Sequence, residues 1–93
     1  MSVAVVVPSA LRELTHGRGR VELGGGIRTV RDAFASLQRK EPAIYDRVIT
    51  ETGDVRTHIN VFVGCDNIRY ADGLETKVPE GAEVIILPAV SGG

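Results

Sequence analysis

The stretch from Thr29 to Lys40 limits the possible fold more than any other part of the chain. Val30, Ala33, Phe34 and Leu37 recur at helical spacing and make one apolar stripe. Thr29 can cap the start, and Asp32, three residues on, is the reach-back partner of a capping-box pattern. Arg39, Lys40 and Glu41 end the stretch in charge, with Pro42 as the stop. The spacing predicts a helix from Thr29 to about Lys40 with one face laid against a sheet.

Strand-like runs surround it. Val3 to Val7 is β-branched and nearly all apolar, as expected of a strand inside a sheet, and Pro8 ends it. Ser9 to Thr15 can make one helical turn that holds Leu11 and Leu14 to the core, and His16 to Arg20 turns the chain. Arg20 to Leu23 alternates polar and apolar, completing a first hairpin. After the Gly24-Gly25-Gly26 break and the helix, Ala43 to Ile49 reads as a short helical turn carrying Ile44 and Val48 inward. Thr50 to Arg56 reads as a surface loop. His58 to Val63 is a strand with Ile59, Val61 and Val63 on one face and His58, Asn60 and Phe62 on the other. Gly64 to Asn67 turns into Ile68-Arg69-Tyr70 as a second hairpin, a short stretch follows from Leu74 to Val78, and Glu83 to Leu87 is the last strand. With one main helix to cover one sheet face, the order predicts an α+β roll.

Length fits this single unit: the chain has 93 residues. A net charge of −1 argues against a general grip on nucleic acid or an anionic membrane surface. The single cysteine, Cys65, excludes an internal disulfide, and it sits in a turn without an activating base nearby in sequence. His16 and His58 have no ligand-like spacing with it, so no metal site is expected. The triple glycine lacks the lysine and serine of a phosphate loop. The apolar N-terminal run is too short for a signal peptide or a membrane helix, which makes a cytoplasmic protein the expectation.

The run Val84 to Gly93 carries the candidate chemistry. Pro88 has no N–H, so sheet pairing should fail about there. Residues 1–87 are read as the domain and 88–93 as a flexible tail. Pro88, Ala89, Val90 and Ser91 form a stalk, and Gly92 and Gly93, without Cβ atoms, can thread a channel too narrow for other residues. A free carboxylate on Gly93 would be ionised at neutral pH and chemically usable. Phe62, Ile85 and Leu87 alternate away from the expected core, and if their strands adjoin they make an apolar patch at the base of the tail where a partner can dock.

The element order is that of the β-grasp. Asn60-Val61-Phe62-Val63, Asp66-Asn67-Ile68-Arg69-Tyr70, Pro79-Glu80-Gly81-Ala82-Glu83-Val84 and above all Ile86-Leu87-Pro88-Ala89-Val90-Ser91-Gly92-Gly93 carry a further likeness. Over essentially its whole length the chain resembles the ThiS/MoaD family of ubiquitin-like sulfur carrier proteins. The long loop before residue 58 and the Leu87-Pro88-Ala89-Val90 ending look most like the CysO type, which serves cysteine synthesis.

That resemblance implies a ubiquitin-like β-grasp roll, a mixed sheet packed on one main helix. It implies a carrier rather than an enzyme, with no cofactor of its own. A ubiquitin-activating-type adenylyltransferase and sulfurtransferase would use ATP with Mg to adenylate Gly93, and sulfide or a persulfide would convert it to a thiocarboxylate. A sulfur-accepting enzyme, such as a cysteine synthase-like protein, would then take the sulfur. The free carrier is expected to be a monomer. A MoaD-like small subunit of molybdopterin synthase, a modifier joined to lysines through Gly93, and a binding-only β-grasp module stay open as alternatives.

Overall fold

The structure, a computed structural model, describes residues 2–88; Met1 and residues 89–93 lie outside the description. Strand β1 (Val3–Val6) runs beside β2 (Arg20–Gly24) in antiparallel register and beside β5 (Glu83–Pro88) in parallel register. Strand β3 (Ile59–Val63) pairs antiparallel with the other side of β5 and with the two-residue β4 (Asp66–Asn67). The order across the sheet is β2-β1-β5-β3-β4. The continuous apolar character of β1 fits its interior place, because Val3, Ala4 and Val5 are all buried.

Helix α1 (Val30–Lys40) forms where the apolar stripe predicts it. Thr29 accepts from the Asp32 N–H at 3.3 Å, and Asp32 Oδ2 accepts from the Thr29 N–H at 3.3 Å, closing the capping box. Val30, Ala33, Phe34 and Leu37 face the sheet and are buried there with Val5, Val61, Val84 and Ile86. Pro42 ends α1 and also opens α2 (Pro42–Val48), since the first helical position needs no N–H from its residue. Ile44 and Val48 point inward as predicted, both fully buried.

Between β1 and β2, Ser9–Thr15 is a 3₁₀ segment. His16 closes it in the left-handed region at φ 57°, and the buried Thr15 hydroxyl donates to the Arg18 carbonyl at 2.6 Å. One expected strand, Ile68-Arg69-Tyr70, is absent from the sheet. Ile68–Tyr70 is a 3₁₀ turn, because Asn67 Oδ1 accepts from the Arg69 N–H at 2.9 Å and curls the chain away from the β3 ladder. The stretch Leu74 to Val78 opens with a second such turn, Gly73–Glu75, stapled by the Asp72 N–H donating to Thr76 Oγ1 at 3.1 Å. Its only strand-like pairing among the described residues is the single bridge between Lys77 and Thr29. The last strand runs one residue beyond the expected Leu87, to Pro88, which lies opposite Ile59.

Candidate functional site

The period-2 alternation of β5 divides its side chains between two faces. Val84 and Ile86 are fully buried beneath α1, whereas Glu83, Ile85 and Leu87 take the outer face. Ile85 lies in register with Phe62 on one side and with Val6 on the other. This makes a half-buried apolar row, Val6-Ile85-Phe62, straight across the three central strands. Leu87, opposite Asn60, stands next to it toward the tail and is 44% exposed. The expected patch of Phe62, Ile85 and Leu87 is therefore brought together, and Pro88 is exposed at its end.

Val6 was not among the residues singled out from sequence. Its membership follows from the parallel pairing of β1 with β5, and no local pattern in the chain encodes that pairing. The predicted tail positions Ala89, Val90, Ser91, Gly92 and Gly93 lie outside the described residues. The structure therefore supplies the surface that leads to them and no geometry of their own.

A charged border flanks the row. Arg20 Nε binds Glu22 Oε2 at 2.7 Å, Arg20 also pairs with Glu83, and Ser2 Oγ donates to Glu22 Oε1 at 2.9 Å. The hydrogen bond from Arg20, then that from Ser2, holds the Glu22 carboxyl below its ordinary range, and the bond to Glu22 raises the Arg20 guanidinium. Arg18, the other arginine of this loop, pairs with Glu41 at 2.6 Å. Both arginines are thus engaged with carboxylates of this chain. The pairs are solvent-exposed and shape the border more than they stabilise the fold.

The remaining sequence features take structural places. Gly64 and Cys65 form the tight turn between β3 and β4, with Cys65 exposed. The Gly24-Gly25-Gly26 loop leads into a helix start whose Val30 N–H already donates to the Thr76 carbonyl at 3.0 Å and whose Asp32 N–H is taken by Thr29. Two of the first three helix N–H groups are thereby spent, so this loop does not present a phosphate cradle. Among the described residues no group of three His, Cys, Asp or Glu side chains is placed to hold a metal ion. No described helix is long and apolar enough to cross a membrane.

Among the described residues this arrangement is an apolar surface rather than an enclosed cleft. It offers an apolar row on the outer sheet face, at whose end the chain continues from Pro88 into residues 89–93. Comparison with known proteins fits this layout. The ThiS family model matches residues 5–93. Sulfur carrier protein CysO of Mycobacterium tuberculosis is 32% identical over 95 residues, covering 100% of both chains. A chain of the BexX/CysO complex of Amycolatopsis orientalis superposes with a TM-score of 0.85 at 35% identity, over 98% of this chain and 99% of that one. SAMP1 of Haloferax volcanii superposes with a TM-score of 0.80 at 30% identity, over 100% of both. The chain belongs to the ThiS family of ubiquitin-like β-grasp proteins, in which sulfur carriers of the CysO type are small carriers and not enzymes.

Proposed function

We propose that the chain is a sulfur carrier whose working group is the Gly93 carboxylate, most akin to the CysO type and serving cysteine synthesis. A ubiquitin-activating-type partner docks on Val6, Phe62, Ile85 and Leu87 and takes residues 89–93 into its own active site. A five-residue segment spans at most about 17 Å, enough to reach a buried nucleotide while the domain stays outside. The partner holds ATP with Mg. The Gly93 carboxylate attacks the α-phosphorus, pyrophosphate leaves, and the resulting acyl-adenylate carries a good leaving group on a carbon that was unreactive as a carboxylate. Sulfide then attacks that carbon and expels AMP, leaving a thiocarboxylate; where a persulfide attacks instead, AMP leaves an acyl disulfide, which a second thiol cleaves to the thiocarboxylate while forming a disulfide with the donor. Gly92 has no side chain to obstruct the approach of either nucleophile. A separate sulfur-accepting enzyme, such as a cysteine synthase-like protein, binds the loaded carrier and receives the sulfur.

The observation that carries this reading is the family match, which continues through residue 93 and so includes the glycine pair. The whole-length similarity to a protein named as a sulfur carrier supports it further. The test is ATP- and sulfide-dependent loading of the full chain in extract of its native cell, beside a variant lacking Gly92 and Gly93. Loading of the full chain alone is expected; equal modification of both would overturn the assignment to Gly93.

A second reading has its own support. Relatives named as modifiers include the small archaeal modifier protein 3 of Haloferax volcanii, 34% identical over 65 residues and 70% of each chain. The same activated Gly93 would then form an isopeptide bond with a lysine amine and release AMP. Protein-sized adducts in place of the sulfur gain would favour it.

A further inference from the structure

An open groove of about 650 Å³ lies beside the root of the tail, between the end of β1, the 3₁₀ segment Ser9–Thr15 and the end of β5. Val6, Pro8 and Ala10 line one side, Leu87 and Pro88 the other, and Arg12 is the one ionisable residue among those lining it. Two contacts seat the Arg12 guanidinium. Its Nε donates to the Val7 carbonyl at 3.1 Å. It also occupies the space a side chain on residue 19 would need: a Cβ on Gly19 would come 2.9 Å from Nε and 3.0 Å from Cζ. Gly19 does not have a positive φ, so the missing side chain makes room for Arg12 and is not demanded by the turn. Unlike Arg18, Arg20 and Arg31, Arg12 forms no ion pair among the described residues.

We propose that this groove receives an extended segment of the activating partner in which an acidic side chain adjoins an apolar one. The carboxylate binds the two outer nitrogens of Arg12, and the apolar side chain covers Val6 and Leu87. A fork already held by Val7 loses little freedom on pairing, and apolar walls strengthen the pair relative to one in open solvent. Only the identity of the partner rests on the sulfur-carrier reading; the preference for an acidic, apolar-flanked segment is a property of the groove itself.

The test is NMR titration of the full-length protein with acetyl-Leu-Asp-Val-amide and with its Asn analogue, acetyl-Leu-Asn-Val-amide. Saturable shifts are expected at Val6, Ala10, Leu87 and the Arg12 side-chain N–H, with the Asp peptide bound about two- to fivefold more tightly. Raising salt from about 0.05 to 0.5 M should erase that preference. Arg12→Gln should abolish it at any salt. Gly19→Ala keeps the charge but displaces the guanidinium, and should remove most of the preference while the amide spectrum remains that of a folded protein. Equal binding of both peptides, or no shift at about 20 mM, overturns the proposal. It is equally overturned if the Asp peptide binds only after residues 89–93 are removed, because the groove is then a seat for this chain's own tail. A protein that prefers the Asp peptide but never gains sulfur keeps the groove and loses the carrier reading; one that gains sulfur but ignores the peptide does the reverse.

Discussion

Ile85 and Ile86 are neighbours of the same residue type on one strand, and the sheet sends them to opposite environments. Ile86 is fully buried against α1 with Val5, Val61 and Val84, where close packing makes every methylene count. Ile85 lies half-buried on the outer face between Val6 and Phe62, with Leu87 and Pro88 exposed beyond it. A strand that only had to hold the fold would carry polar residues on its outer face. Here the inner face closes a core and the outer face keeps an apolar row outside the core cluster. The two faces of one strand thus separate the core from the surface on which the proposed partner docks.

Substitutions that treat the faces differently should expose this division. Ile86→Ala is expected to cost about 2–5 kcal/mol in denaturant unfolding, since it opens a cavity under the helix. Ile85→Ala should cost about 1 kcal/mol or less while weakening partner-dependent loading. Equal losses of stability at the two positions would break the comparison. Thr29→Ala removes the cap that orients α1 above the inner face; a loss of about 1 kcal/mol is expected, seen as a fall of about 4–8 °C in Tm. Loading should be unchanged once the variant is folded, because the cap touches nothing on the outer face.

A smaller effect belongs to the charged border. Glu22 is harder to protonate in the folded chain than in the unfolded one, because Arg20 and Ser2 donate to its carboxylate. Its contribution is therefore present in full above the unfolded value of 4.5 and fades as pH falls through the folded one. Glu22→Gln should flatten the acid side of the Tm-versus-pH curve slightly and leave it unchanged near neutrality in high salt. A steeper acid slope in the variant would contradict the assigned direction.

Local signals were the legible ones. Helix α1 is written in Thr29, Asp32 and four apolar positions within nine residues, so its start, face and end could all be read. The faces of β3 and β5 followed from simple alternation. A strand was expected at Ile68–Tyr70, where Asn67 captures the Arg69 N–H, and the unassigned stretch after it is shaped likewise by Thr76, which captures that of Asp72. Those bonds are as local as the helix cap, but Asn and Thr in such places are compatible with either outcome. What sequence could not show was adjacency. Phe62 and Ile85 form a patch only because β3 lies beside β5, and Val6 joins it only because β1 runs parallel on the other side. The seat of Arg12 was hidden for the same reason: it is built by Val7 and Gly19, which flank the end of β1 and the start of β2, while its own neighbours Leu11 and Leu14 suggested only core packing.

Cys65 sharpens the distinction between surface and site. It is exposed at the β3–β4 turn, away from the row that leads to the tail. Cys65→Ser should leave both stability and sulfur loading unchanged, as measured by Tm and by mass. A loss of loading would place a thiol step on this chain and move the chemistry off the glycine pair.

The most direct measurement is intact mass spectrometry of the full chain drawn from its native cell, before and after incubation with ATP, sulfide and cell extract, with fragmentation to locate any change. The expected result is a gain equal to one oxygen replaced by sulfur, carried entirely by the fragment that contains Gly93. A chain whose mass never changes, or whose sulfur resides on Cys65, would contradict the role assigned to the Gly93 carboxylate.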